Sequence, residues 1–388
     1  MSTGDLKLRR VLLIPSSGMG HFIPFVRVAT ALSDRGISTS LLAFRPTISN
    51  AESSLLSSLP SSLVLDFPLE PLDPSLFPSA DPFFRQMEVA AALNIPCFVL
   101  FISSASMLAL CSVFHSLPHP TGAEINIAGG VLKIPNSSLP QPLHDPNHLF
   151  TTPTHFKENG RALAQANGII VNTFFAMEPE TLAALNSGEV ITGLPPVIAL
   201  GPLLPVKKQP SLASPALRWL DEQPEKSVMY VSFGSRAAMS KEQIRELGAG
   251  LEMSGCRFFW VVKSAKVDRE EAVEIGELLG EGYVKRVEGR GLVVKEWVEQ
   301  EVVLGHRAVA GFLSHCGWNS VMEAAAAGVR MLAWPSLGDQ RVIAALVARS
   351  GLGIWPAEGA WEAEGRGFNV AEQDVYEQQL VIVAEQDV

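Results

Sequence analysis

In the run Val309-Ala310-Gly311-Phe312-Leu313-Ser314-His315-Cys316-Gly317-Trp318-Asn319-Ser320, a short apolar strand gives way to a turn and then to a helix. Val309–Leu313 has the composition of a buried strand, and the alanine-rich run Ser320–Ala327 that of a helix closed by Gly328. Gly317 lets the backbone approach a neighbour closely, and Ser320 with Glu323 has the spacing of a capping box. A strand that turns directly into a helix presents amide N–H groups at the positive end of the helix dipole, where a diphosphate is well held. His315 would add a side-chain donor at the same mouth. Local physics alone leaves two readings open, an anion site and plain structure, because such turns occur as both and a single histidine is often a satisfied core residue.

Strands and helices alternate on both sides of this turn, which points to parallel α/β layers. Before it come strand Ser227–Ser232, helix Lys241–Met253 with Ser240 and Gln243 as capping box, and strands Arg257–Val262 and Gly291–Val294. After it come strand Arg330–Ala333, helix Arg341–Ala348 and strand Leu352–Trp355. An earlier series opens with strand Arg10–Ile14, the loop Pro15-Ser16-Ser17-Gly18-Met19-Gly20, helix Phe22–Leu32 and strand Ile37–Phe44, and has a further strand at Gly168–Asn172. Residues 89–123 carry no Asp, Glu, Lys or Arg. Pro96 and the hydroxyls of Ser103, Ser104, Ser106 and Ser112 interrupt any membrane span there, so the reading is a buried strand, Cys97–Ile102, and a core helix, Ala105–Phe114. Residues 45–82 and 117–153 read as long loops, and the Pro-rich Leu194–Pro210 as an interdomain linker. The expected architecture is α/β, with two Rossmann-like doubly wound domains, residues 1–200 and 227–360, facing across a cleft. A linker at 201–226 joins them, and residues 361–388 form a disordered acidic tail.

At 388 residues and 47% hydrophobic content the chain can bury two cores, and its formal net charge of −10 argues against a broad electrostatic grip on nucleic acid or an anionic membrane. A small-molecule substrate fits better. Cys97, Cys111, Cys256 and Cys316 are widely spaced, as the reduced thiols of a cytoplasmic protein are. The apolar run after Arg9-Arg10 stops at Pro15, too short for an export signal. A nicotinamide site fails twice. Counted from Gly18 and Gly20, the third glycine position is Ile23, and no acidic residue closes the second strand at Ala43-Phe44-Arg45.

Two tryptophan-led segments bracket the central turn: Trp297-Val298-Glu299-Gln300 and Trp334-Pro335-Ser336-Leu337-Gly338-Asp339-Gln340. From Trp297 to Gln340 the sequence resembles, without a gap, the signature of plant secondary-product glycosyltransferases, which take a UDP-sugar donor and have the GT-B fold. The resemblance implies that Trp297 stacks on uracil, Gln300 lies by the nucleoside and Glu323 holds the ribose hydroxyls. It assigns the diphosphate to His315, Asn319 and Ser320 beside Gly317, and the sugar hydroxyls to Trp318, Asp339 and Gln340. Ser235, in Ser232-Phe233-Gly234-Ser235, would close over the phosphates. These residue types suit the roles: an indole offers a π-face to a base, a carboxylate accepts two vicinal hydroxyls, and Asp beside Gln offers acceptors and donors to a hexose.

The runs Pro15-Ser16-Ser17-Gly18-Met19-Gly20-His21, His144-Asp145-Pro146-Asn147-His148-Leu149-Phe150, Val171-Asn172-Thr173-Phe174 and Gly338-Asp339-Gln340-Arg341 look like those of flavonoid C-glucosyltransferases. UDP-glucose would then be a co-substrate, a flavonoid-type phenol the acceptor, and no cofactor or metal is expected. The absence of an Asp-x-Asp pair agrees with a metal-independent scheme. The resemblance makes His21 the general base that takes the phenol proton, so that a ring carbon attacks the anomeric carbon with inversion.

Two departures qualify this. Between Phe84 and Val89 the family has a helix and a strand ending in the aspartate that pairs with the catalytic histidine, and this chain has neither. The first domain is therefore expected to lack a helix–strand unit, to leave a core edge unfilled and to leave His21 without that partner unless Asp81 or Asp145 replaces it. After Trp355 the family continues through further helices, whereas here Val370-Ala371-Glu372-Gln373-Asp374-Val375 recurs at Val383–Val388. Two alternatives stand beside the C-glucosyltransferase: a catalytically impaired UDP-sugar-binding remnant, and an O-glucosyltransferase of phenolics.

Overall fold

Backbone hydrogen bonds gather the apolar runs into two large sheets. The computed structural model describes residues 10–16, 18–45, 48–68, 90–117, 122–144, 156–204, 215–234, 239–263, 274–356 and 379–385. In chain order the strands are β1 (Arg10–Ile14), β2 (Thr39–Arg45), β3 (Val64–Pro68), β4 (Cys97–Phe101), β5 (Glu124–Ile127), β6 (Leu132–Pro135), β7 (Gly168–Val171), β8 (Val197–Ala199), β9 (Val228–Ser232), β10 (Arg257–Val261), β11 (Gly291–Val294), β12 (Val309–Ser314), β13 (Arg330–Ala333), β14 (Gly353–Ile354) and β15 (Gln379–Glu385). The helices are α1 (Met19–Ser33), α2 (Asn50–Ser57), α3 (Ala105–Val113), α4 (Phe156–Ala162), α5 (Pro179–Ser187), α6 (Pro215–Asp221), α7 (Lys241–Ser254), α8 (Ile275–Leu279), α9 (Tyr283–Arg286), α10 (Gln300–Leu304), α11 (Trp318–Ala327) and α12 (Gln340–Arg349). The chain divides into two units. One is Met1–Val206 with Leu337–Val342 and Gln373–Val388, and the other is Lys207–Ser336 with Ile343–Glu372.

The sheet of the first unit runs β3-β2-β1-β15-β4-β7-β8. β4 shows why its sequence is apolar at every position. Val99 and Phe101 pack into a core with Met107 and Leu108 of α3, while Leu100 packs on the other face with Leu13, Phe22 and Phe25. A strand covered on both faces has no polar side to alternate with. α3 follows at once, and its first turn is closed by Ser104, which accepts from the Met107 amide at 3.1 Å, and by the buried carboxylate of Glu178. That carboxylate accepts from the amides of Ala105 and Ser106 at 2.8 Å each and from Thr173 Oγ1 at 2.8 Å.

Three expectations are corrected here. Residues 45–82 are not all loop: α2 and β3 lie within them. The serines that made Asn50–Ser57 look irregular belong to a helix with its own capping box, Ser49 with Glu52, and a buried face of only Glu52 and Leu56. Within 117–153, β5 and β6 form an antiparallel hairpin whose buried Ile125, Ile127, Leu132 and Ile134 alternate with exposed residues. The tail is not wholly disordered, nor is the core edge left open, because β15 enters the first sheet between β1 and β4 and pairs antiparallel with both. Its apolar stretch Leu380–Ala384 suits a central strand better than solvent.

The second unit has the strand order β11-β10-β9-β12-β13-β14, all parallel. Counted along its own series this is 3-2-1-4-5-6, the doubly wound order expected. α7 carries the capping box read from the sequence, with Ser240 Oγ accepting from the Gln243 amide and Gln243 Oε1 from the Ser240 amide. The expected linker contains α6, which buries Ala216 and Leu220, and the unit boundary at Val206 falls inside it. All four cysteines are free thiols. Among the described residues no helix is long and apolar enough to cross a membrane.

Candidate functional site

In a doubly wound sheet the crevice opens where the strand order reverses, at the carboxyl ends of the two central strands. In the second unit these are β9 and β12, which lead into Phe233-Gly234 and into His315-Cys316-Gly317. Between the two turns stands the His315 imidazole. A Cβ on Gly234 would come 2.7 Å from its Nε2, and one on Gly317 2.5 Å, so a larger residue at either position displaces the ring. Gly317 itself has an ordinary φ of −59°, and the left-handed residue of the turn is Cys316, at φ 66°. Gly317 is thus required for space and not for its backbone angles. Burial pushes the His315 pKa down to about 4, against a backbone contact with Ser232 that acts the other way, so the ring is neutral near pH 7.

α11 starts at Trp318 with Gly317 as N-cap, which has no side chain with which to cap it. This corrects the expected capping box: Ser320 lies inside the first turn and turns its hydroxyl elsewhere. Gln300, the first residue of α10, donates from Nε2 to Ser320 Oγ at 2.9 Å and to Glu323 Oε2 at 2.8 Å. Gln300, Ser320 and Glu323 therefore form one polar cluster along α11, and Ser320 and Glu323 are buried. Asn319 stands on the same first turn. The Trp318 side chain is in the core, whereas Trp297 is 69% exposed and leaves the face of its indole open. Ser235 lies outside the described residues.

In the first unit, β1 leads through a short loop into α1, whose N-cap Gly18 has φ 102° and, like Gly317, brings no side-chain cap. His21 is the third residue of this helix and is 5% exposed. Its Nδ1 lies 2.9 Å from Ser16 Oγ. The loop is tied down by Glu52, whose buried carboxylate accepts from the Gly18 amide at 2.6 Å and from the Ser49 amide at 2.8 Å. Asp81 and Asp145, the substitutes considered for the absent aspartate, both lie outside the described residues. Ser16 stands in the Pro15–His21 run, where nothing in the sequence singles out its hydroxyl as the neighbour of His21.

Asp339 and Gln340 belong to the segment Leu337–Val342, which groups with the first unit. Asp339 Oδ2 accepts from Ser103 Oγ at 2.6 Å, with both residues buried, and Gln340 Oε1 accepts from the Leu337 amide at 2.9 Å. The hydroxyl of Ser103, unremarkable in the sequence, is a direct neighbour of a sugar-binding candidate. Its signal was a polar residue in a stretch otherwise fit for the core.

Two Rossmann-like units with a glycine-capped helix start at the switch point place the protein among the GT-B glycosyltransferases. The family of UDP-glucoronosyl and UDP-glucosyl transferases matches residues 194–360. A rice protein (Oryza sativa subsp. japonica), UDP-glycosyltransferase CGT, is 51% identical over 409 residues, covering 94% of this chain and 86% of its own. That span exceeds the 388 residues here, so the relative carries residues without a counterpart in this chain. The crystal structure of LpCGTa in complex with UDP matches with a TM-score of 0.77 at 44% identity, over 94% of this chain and 88% of the other. Phytolacca americana UGT2, solved with UDP-2fluoro-glucose and pterostilbene, matches with a TM-score of 0.75 at 31% identity, over 90% and 86%. The chain belongs to the UDP-glycosyltransferase family and is a glycosyltransferase enzyme.

Proposed function

We propose that this chain transfers glucose from UDP-glucose to a flavonoid-type phenol and forms a C-glucoside with inversion and without a metal. The observation that carries the donor half is the start of α11. It is a helix N-terminus with glycine as its N-cap, at the switch point, beside a neutral histidine given room by two glycines. Such a terminus holds a diphosphate through amides and dipole. Trp297 then stacks on the uracil, Gln300 and Glu323 address the nucleoside, and His315, Asn319 and Ser320 meet the diphosphate. Asp339, Gln340 and the Trp318 backbone are the groups proposed for the sugar, with Ser235 at the phosphates.

His21 acts as general base on the phenol, with the proton passing to an imidazole nitrogen. Electron density from the phenolate moves to a ring carbon, which attacks the anomeric carbon. The new C–C bond forms as the bond from the anomeric carbon to the β-phosphate oxygen breaks, and UDP leaves with the electron pair. Loss of the proton from the attacked carbon to water restores the aromatic ring as a phenolate, which takes back the proton held by the His21 imidazolium. The Ser16 hydroxyl at Nδ1 orients the imidazole. The names of the rice CGT and of LpCGTa support the C-linked reading.

Incubation of the purified chain with UDP-glucose and a 2-hydroxyflavanone or phloretin, followed by fragmentation mass spectrometry, tests this. A hexose adduct that loses fragments of the ring but not the whole sugar is the expected result. Loss of the intact hexose would make the enzyme an O-glucosyltransferase, and UDP binding without any product would reduce its function to holding the donor.

A further inference from the structure

Three aromatic rings lie side by side across the sheet of the second unit. Tyr230 of β9 is in register with Phe259 of β10 and Phe312 of β12, its ring centroid 5.6 Å from the first and 5.0 Å from the second. Only the middle ring carries a hydroxyl, although Tyr230 is 1% exposed and a third phenylalanine would bury the same apolar surface. A buried hydroxyl is costly unless it is bonded, so its partners indicate what it is for.

Those partners lead to the polar cluster along α11. Side chains two apart on a strand share a face, and Ser232, the last residue of β9, bonds the phenol from that face. The Tyr230 hydroxyl in turn donates to Gln300 Oε1 over 3.5 Å, a long bond, and Gln300 Nε2 donates to Ser320 Oγ and Glu323 Oε2 at 2.9 and 2.8 Å. The direction of this chain is forced. An amide has one donor end and one acceptor end, and a carboxylate only accepts, so Nε2 faces Glu323 and Oε1 needs a donor. A phenylalanine at position 230 would leave Oε1 facing carbon. Burial pushes the Tyr230 phenol up, against the Ser232 contact that acts the other way, so the hydroxyl keeps the proton it donates. Ser232 meets the site twice, because its backbone also contacts the His315 ring.

We propose that Tyr230 is a positioning residue for the nucleotide donor: its hydroxyl fixes the Gln300 amide, and Gln300 holds the Glu323 carboxylate in the orientation that accepts the ribose hydroxyls. The assignment rests on the reading of Gln300 and Glu323 as nucleoside contacts. Tyr230 is itself buried, so it acts through Gln300 and not on UDP directly.

Calorimetry on the full chain with UDP and with 2′-deoxy-UDP separates this role from packing. The parent is expected to bind UDP about 10-fold or more tightly than 2′-deoxy-UDP, the worth of a hydrogen bond to a charged group. Y230F removes one oxygen and keeps the row of rings. Its Kd for UDP is expected to rise about 3- to 10-fold while its Kd for 2′-deoxy-UDP stays within about twofold of the parent's, so that the preference narrows. Equal weakening of both nucleotides is what a merely structural role would give, and it overturns the proposal, as does no change in either. Y283F controls for a general loss of order, since Tyr283 is also buried and its hydroxyl donates to the Gly248 carbonyl at 2.9 Å. The preference is expected to survive in Y283F, and an equal narrowing there overturns the proposal. A parent that binds the two nucleotides alike, or neither of them, would instead overturn the reading of Glu323, and the role of Tyr230 with it.

Discussion

His315 and His21 both stand at a helix N-terminus whose N-cap is a glycine, and they are held in opposite ways. Around His315 everything is close in sequence or set by the strand order: the turn after β12, the glycine after β9, and a ring kept neutral by burial. Around His21 the partners come from elsewhere. Glu52 reaches the loop from α2, and β15 arrives from the far end of the chain to border β1. In α2, α3 and α7 a serine N-cap accepts from an amide of the first turn, a bond that the glycine N-caps of α1 and α11 cannot make.

The sharpest break between the two regions is H21A. Its turnover is expected to fall about 100- to 10,000-fold, the usual worth of a general base, while the Kd for UDP measured by calorimetry stays within about twofold. A matching loss of UDP affinity would show that the two regions do not act separately. On the other side, G317A places a Cβ where the His315 ring now is and should raise the Kd for UDP about 10-fold or more. It should also lower stability by about 1–3 kcal/mol in denaturant titrations. An unchanged Kd would assign the close approach to packing alone.

A third test uses pH. With its pKa held near 4 in the folded protein against about 6.5 in the unfolded chain, His315 binds a proton more readily when unfolded. Its contribution to stability is present above about 6.5 and is lost as pH falls towards 4. The melting temperature of H315Q should therefore depend less on pH across that window than that of the parent. The smallest effect belongs to S16A: kcat should fall about 2- to 10-fold, the worth of one neutral hydrogen bond, with KM for UDP-glucose unchanged and the acid limb of the pH–rate profile displaced. A profile that does not move would leave Ser16 as a neighbour only.

The legibility of the two regions follows the same division. The ladder from β9 to β14 was readable because each strand is a short apolar run followed by turn residues or a helix, so local composition and topology agree. The box at Ser240 and Gln243 was right, while the same spacing at Ser320 and Glu323 misled. In that pair the hydroxyl and carboxylate are both taken by Gln300, a partner from another helix that spacing cannot show. α2 was hidden because its buried face is two residues wide. Ser103 beside Asp339 joins residues far apart in the chain, and a hydroxyl in an apolar run gives no hint of which carboxylate it will meet.

Local chemistry along the chain thus determined the α/β class, the doubly wound second sheet and the family, since periodicity, turn residues and a contiguous motif each act over a few residues. Tertiary structure decided the rest. Which carboxylate holds the loop before His21, which glutamine takes the Ser320 hydroxyl and which strand stands between β1 and β4 depend on groups distant in sequence, and hydrogen bonding selects those partners only once burial has removed water as a competitor.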